Sequence, residues 1–178
     1  MTAAEAARYH APQAETLASS GADMVSALTM TYAEEPTGIV QAAAAAGIPV
    51  SISFTVETDG RLPSGQSLGD AIGQVDAETD GAVAYFMINC AHPTHFADAI
   101  EAGEPWVDRI GGLRANASAK SHAELDESDS LDDGDPAELG DLYAALRPRL
   151  PRVTVVGGCC GTDHRHIGAM CRGWSAAS

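Results

Sequence analysis

Short apolar runs recur along the chain with helix-like segments between them. "ADMVSALTM" (22–30), "IPVSISFTV" (48–56), "AVAYFMINC" (82–90), "RIGGLRAN" (109–116) and "RVTVVGG" (152–158) read as strands, each bounded by turn-forming residues. Residues 4–19, 33–47, 67–79, 94–103 and 136–147 read as helices, the second starting after Pro36 and ending at Gly47, the fourth ending at Gly103. A last helix follows residue 158. Strands of 4–9 residues, apolar on both faces and separated by helices, predict an α/β fold of βαβ units, with five strands in a parallel sheet covered on both sides.

In folds of this kind, functional groups collect where strands end, because the following loops vary on a rigid scaffold. The less ordinary residues fall at those ends: Thr29 and Thr31, "DGRLPSGQ" (59–66), Asn89-Cys90 with His92, Asn116, and Cys159-Cys160. They are predicted to converge on one rim.

Length and composition narrow the possibilities. At 178 residues the chain fits one domain spanning 1–178. The net charge of −15 and only ten Lys and Arg argue against a nucleic-acid partner or an anionic membrane surface. No apolar run reaches the roughly 18 residues of a membrane span. The opening "MTAAEAARYH" lacks the basic and apolar regions of a secretory leader. A cytoplasmic location with four reduced cysteines is therefore expected.

Reduced thiols on a rim raise the question of metal. Neighbouring residues of a strand point to opposite faces, so two adjacent cysteines can share a target only where the backbone departs from extended geometry. Gly157, Gly158 and Gly161 around the pair offer that freedom. Cys90, at another strand end, can add a third thiolate. Three protein ligands with an open fourth position fit catalytic zinc, and thiolates favour zinc over magnesium or manganese. A redox thiol pair and plain core packing remain alternatives on this spacing.

"GGCCGT" followed by His166-Ile167, with the upstream "INCAHP", resembles the homocysteine S-methyltransferase family. "GADMVSALTMTYAEE", "GIPVSISFTVETDGRLPSGQSL" and Asn116 fall in the order and spacing of that family's second half. The resemblance implies a (β/α)8 TIM barrel with Zn2+ held by Cys90, Cys159 and Cys160. It also implies homocysteine binding through its thiol, and methylation to methionine by a methyl-sulfonium, methyl-ammonium or cobalt-bound donor. Thr29, Asn89 and Asn116 become the expected substrate-binding residues.

Two departures accompany the resemblance. A whole barrel takes about 250 residues and eight strands, whereas this chain corresponds to the last five βα units, a partial barrel lacking its N-terminal part. An apolar inner face and two sheet edges are then expected to lie open, so that the chain is either a fragment or is covered by a second copy or a partner chain. Secondly, the family commonly carries Glu-Thr at the end of the first of these strands, with the Glu on the substrate's amino group. Leu28-Thr29 stands there, so amino-group recognition falls to other residues or the thiol differs. A non-catalytic zinc-binding half-barrel and a thiol redox module are the competing functions.

The remaining candidates carry less chemistry. His164 and His166 are read as helix-start residues, His92 as part of a turn, and Cys171 as an inert buried cysteine of the last helix. The stretch 121–141 holds nine carboxylates and no Lys or Arg. As an EF-hand from Asp129 it would place Leu131 and Gly140 at ligand positions, which excludes calcium in that register. It is read instead as a solvated loop with a helix N-cap, long enough to serve as a lid, with His122 and Glu124 best able to face inward.

Overall fold

The computed structural model describes residues 1–101 and 103–177. Its strands are β1 (Val25–Met30), β2 (Val50–Phe54), β3 (Phe86–Asn89), β4 (Ile110–Ala115) and β5 (Val155–Gly158). They form one parallel sheet in the order β1-β2-β3-β4-β5. That order decides the architecture. Parallel crossovers are almost always right-handed, so steps taken always in one direction place the connecting helices on one face. A doubly wound sheet would reverse direction and cover both faces. The five units therefore form an arc with β1 and β5 at its edges.

The helices are α1 (Ala3–Ser19), α2 (Glu34–Ala46), α3 (Leu68–Thr79), α4 (Pro93–Phe96), α5 (His122–Asp126), α6 (Pro136–Leu146) and α7 (His164–Ala176). Helix α2 starts before Pro36 rather than after it, because a first-turn position needs no backbone N–H. Gly47 ends it in the left-handed conformation, φ 72°. The helix expected over 94–103 is only α4 and a 3-10 turn at Ala97–Ala99, and residue 102 lies outside the described residues. β5 begins later than residue 152 because the Val153 N–H donates to the Leu150 carbonyl and closes a turn. Among the described residues no helix is long and apolar enough to cross a membrane.

The core lies between the sheet and its helices. Ile52, Phe54, Phe86, Ile88, Ile110 and Leu113 point that way, meeting Leu68, Ile72 and Val75 of α3 and Leu139 and Tyr143 of α6. The opposite face does not have the apolar character expected of it. Ser26 pairs with Ser51 through their hydroxyls at 2.7 Å. Ser53, Met87, Gly112 and Val155 share a cross-strand row, and Asn89, Arg114 and Gly157 share the next. Period-two alternation explains the difference: in "VSISF" every second residue is serine. An apolar inner face is thus corrected to one on which Ser, Gly, Asn and Arg residues alternate with the apolar Met87 and Val155.

One ion pair fastens the helical layer to the sheet. Arg109 donates to both Asp76 oxygens, at 2.6 and 3.0 Å, and to the Val83 carbonyl at 2.7 Å, with its guanidinium over the Phe86 ring. Both side chains are about a quarter to a third exposed. Breaking the pair thus costs less than in a fully dry site, and Asp76→Ala is expected to destabilise the fold by about 1–2 kcal/mol. The shift in urea midpoint measures it.

Candidate metal centre

The C-terminal ends of the strands carry the chemistry. β3 runs into Cys90, which adopts a left-handed conformation with φ 55°, and Thr29 near the end of β1 does the same at 63°. Both are rare for residues with a Cβ. Their neighbours hold them there. The Asn89 amide oxygen accepts from the Thr29 N–H at 2.9 Å and from the Ser53 hydroxyl at 2.6 Å, while its nitrogen donates to the Thr29 hydroxyl at 2.8 Å. Three donors reach the Cys90 carbonyl: Asn116 Nδ2 at 3.0 Å, Thr55 Oγ1 at 3.4 Å and His122 Nε2 at 2.6 Å.

β5 delivers the other two thiols through a turn. The Thr162 N–H and hydroxyl both donate to the Cys159 carbonyl, at 3.2 and 2.7 Å. Gly161 occupies the third position of that turn with φ 77°, where a positive φ is needed. Only Gly161 among the three flanking glycines therefore supplies conformational freedom. Gly158 supplies space instead, since a Cβ there would sit 2.2 Å from the Thr162 hydroxyl. Asn116 completes the frame, its oxygen accepting from the Cys160 N–H at 3.1 Å. A single buried amide thus ties the Cys90 loop to the Cys159-Cys160 turn.

The sulfurs of Cys90, Cys159 and Cys160 lie within 4.8 Å of one another, and those of Cys90 and Cys159 are 2.7 Å apart. Soft donors converging on one point are suited to a thiophilic ion such as zinc, so the residues present fit that group. The cluster's electrostatics are those of a shared proton. The hydrogen bond from Cys90 pulls the Cys159 thiol down to about 5 against the opposing effect of burial. The same contact, together with burial, pushes Cys90 far above the ordinary thiol range. One thiolate is stabilised by its neighbours before any cation arrives.

Above the thiols opens a cavity of about 460 Å³. Thr29, Thr31, Thr55, Cys90, Asn116 and Cys160 line its floor, and Pro63 lines it from the loop after β2. Asn89 lies beneath, 2% exposed, its amide committed to Thr29 and Ser53. The far wall is the acidic segment, through His122, Leu125, Asp126, Ser130, Leu131 and Asp132. That stretch folds over the site as a lid. His122 faces inward as expected. Glu124 turns back to close a capping box with Ser121. His164 and His166 lie in the first turn of α7 and His92 caps α4. Cys171, expected to be buried, is instead exposed on α7.

A profile of the family described as homocysteine S-methyltransferase matches residues 1–173. The chain belongs to the homocysteine S-methyltransferase family. Its fold is similar to the apo form of the homocysteine methyltransferase MmuM from Escherichia coli, with a TM-score of 0.67 and 20% identity. That match covers 100% of this chain and 59% of the other. The metallated form of MmuM gives a TM-score of 0.65 at 19% identity, covering 100% of this chain and 53% of that one. The chain spans little more than half the length of these structures, so the five-unit arc of this family member is a partial (β/α)8 barrel. A comparison with curated proteins returned no match.

Proposed function

We propose that this chain forms the metal- and thiol-binding portion of a zinc-dependent S-methyltransferase that turns homocysteine into methionine. The observation that carries the reading is the convergence of three cysteine sulfurs, from two strand ends, beside a cavity that Cys90 and Cys160 line. Cys90, Cys159 and Cys160 would hold zinc with a place left for one further ligand. When bound, the ion supplies Lewis acidity that lets a substrate thiol ionise near neutral pH.

The chain's own residues position and enclose. Asn116 fixes the spacing of the two cysteine-bearing loops, and Asn89 supports Thr29 at the rim. Leu125 and Leu131 contribute apolar side chains to the lid wall of the cavity. In the reaction a sulfur–carbon bond forms as the donor–methyl bond breaks. The donor leaves with the electron pair, and the thiol proton passes to solvent. Alignment is the main demand of such a displacement. The open face of the arc, with Arg114 on it, is proposed to be covered by the rest of a barrel, from the same chain or another.

The test starts with zinc in the full chain purified under reducing conditions, where one ion per chain is expected. L-Homocysteine should then change the absorption of the cobalt-substituted protein, and methionine should appear on adding a methyl-sulfonium donor. Absence of stoichiometric zinc would sink the reading in favour of thiol redox chemistry. Zinc and thiol binding without turnover, restored by a polypeptide that completes the barrel, would place catalysis in the whole assembly.

A further inference from the structure

The lid carries a carboxylate with no partner of its own. Two acidic residues line the cavity, Asp126 and Asp132. Asp132 is fully engaged: it accepts from the Ser118 hydroxyl at 2.9 Å and the Gly134 N–H at 3.2 Å and pairs with Lys120 at 3.1 Å. Asp126 makes no hydrogen bond or ion pair with any described residue. No Lys or Arg lines the cavity, and both nitrogens of its one histidine, His122, are occupied, by Glu57 at 3.4 Å and the Cys90 carbonyl.

Helix geometry fixes where Asp126 looks. His122, Leu125 and Asp126 stand at i, i+3 and i+4 of α5 and therefore share one face. His122 pins that face to the Cys90 carbonyl, and the Ser121–Glu124 capping box sets the start of the helix. Asp126 is thus held one turn further along the wall of a cavity whose floor includes Cys90 and Cys160.

We infer that Asp126 is the residue that reads the ammonium group of an amino-acid thiol bound at the cysteine cluster. The inference rests on the thiol-binding reading of the site given above. A free carboxylate is matched by a cation that can donate N–H hydrogen bonds, which a primary ammonium does. The onium centre of a sulfonium or quaternary ammonium methyl donor has no N–H to give, and such centres are typically held against aromatic rings. No Phe, Tyr or Trp lines this cavity. The floor of the cavity offers hydroxyl and amide oxygens but no carboxylate, so a carboxylate acceptor can come only from the lid wall.

Calorimetric titration of the zinc-loaded full chain with L-homocysteine and with 4-mercaptobutyrate, the same thiol without its amino group, tests this. The wild type should prefer homocysteine, and Asp126→Asn should weaken homocysteine binding by roughly 10- to 100-fold, the range for a charge-assisted hydrogen bond. Binding of 4-mercaptobutyrate and the zinc content should stay unchanged, and Glu127→Gln should alter neither thiol. Equal losses for both thiols, or no loss for homocysteine, would overturn the assignment of Asp126. Failure of the zinc-loaded wild type to bind either thiol would instead overturn the thiol site itself, and this inference with it.

Discussion

Cys90→Ala should lower zinc affinity on the order of 100- to 1,000-fold, and Cys159→Ala should do the same. Structural zinc sites with four ligands bind with about 10–16 kcal/mol, so one thiolate accounts for roughly 3–4 kcal/mol, a loss of that size on the affinity scale. Equality of the two effects is the informative part. Cys90 stands alone after β3, 69 residues before the paired cysteines, yet its sulfur is 2.7 Å from that of Cys159. Competition with a chromophoric chelator measures the affinities. Cys171→Ala, on the exposed side of α7, should leave them unchanged. An unaltered affinity in Cys90→Ala would remove Cys90 from the centre and leave a vicinal pair.

Gly38→Val is expected to cost about 3 kcal/mol of stability, at the upper end for overpacking, because the obstructing atoms are mostly backbone. A Cβ at residue 38 would lie 2.4 Å from the Ala3 carbonyl oxygen, 2.5 Å from the Ala6 Cβ and 2.6 Å from the Ala7 nitrogen. No rotamer change relieves such contacts. Relief requires α1 to move away from α2, exposing the fully buried Ala6 and the largely buried Ala14. Chemical denaturation should show an earlier midpoint, and Gly38→Ala should fall between the valine variant and wild type. A valine variant as stable as wild type would mean that α1 packs elsewhere.

How the fold showed itself in the sequence differs from element to element. The five strands and their parallel pairing follow from apolar runs spaced by helix-length segments, although β1, β3 and β5 each begin three or four residues later than the pattern suggests. The inner face was misjudged because the runs look continuously apolar, while the serines of "VSISF" and the glycines of β4 all fall on one side. The three thiols were legible as a cluster because strand ends of a parallel sheet share a rim. The role of Asn116 was not. A strand-end asparagine looks alike whether its amide meets solvent, substrate or backbone, and only tertiary contacts show both of its ends on the cysteine loops. The lid was legible as length and charge. That His122 reaches the Cys90 carbonyl, and that Asp126 alone of the cavity's acids is uncommitted, depends on where a five-residue helix lands.

The left-handed backbone of Cys90 has a consequence for how the chain would change over generations. A side chain with a Cβ in that conformation costs about 1–2 kcal/mol, which glycine avoids. A lineage with no use for a metal at this site would gain conformational ease by exchanging this cysteine for glycine, losing only the contact of its sulfur with that of Cys159. Residue 90 therefore sits on a slope that drift would descend. If the proposed metal chemistry is the reason for the cysteine, position 90 is the place in related sequences where its loss should first be written.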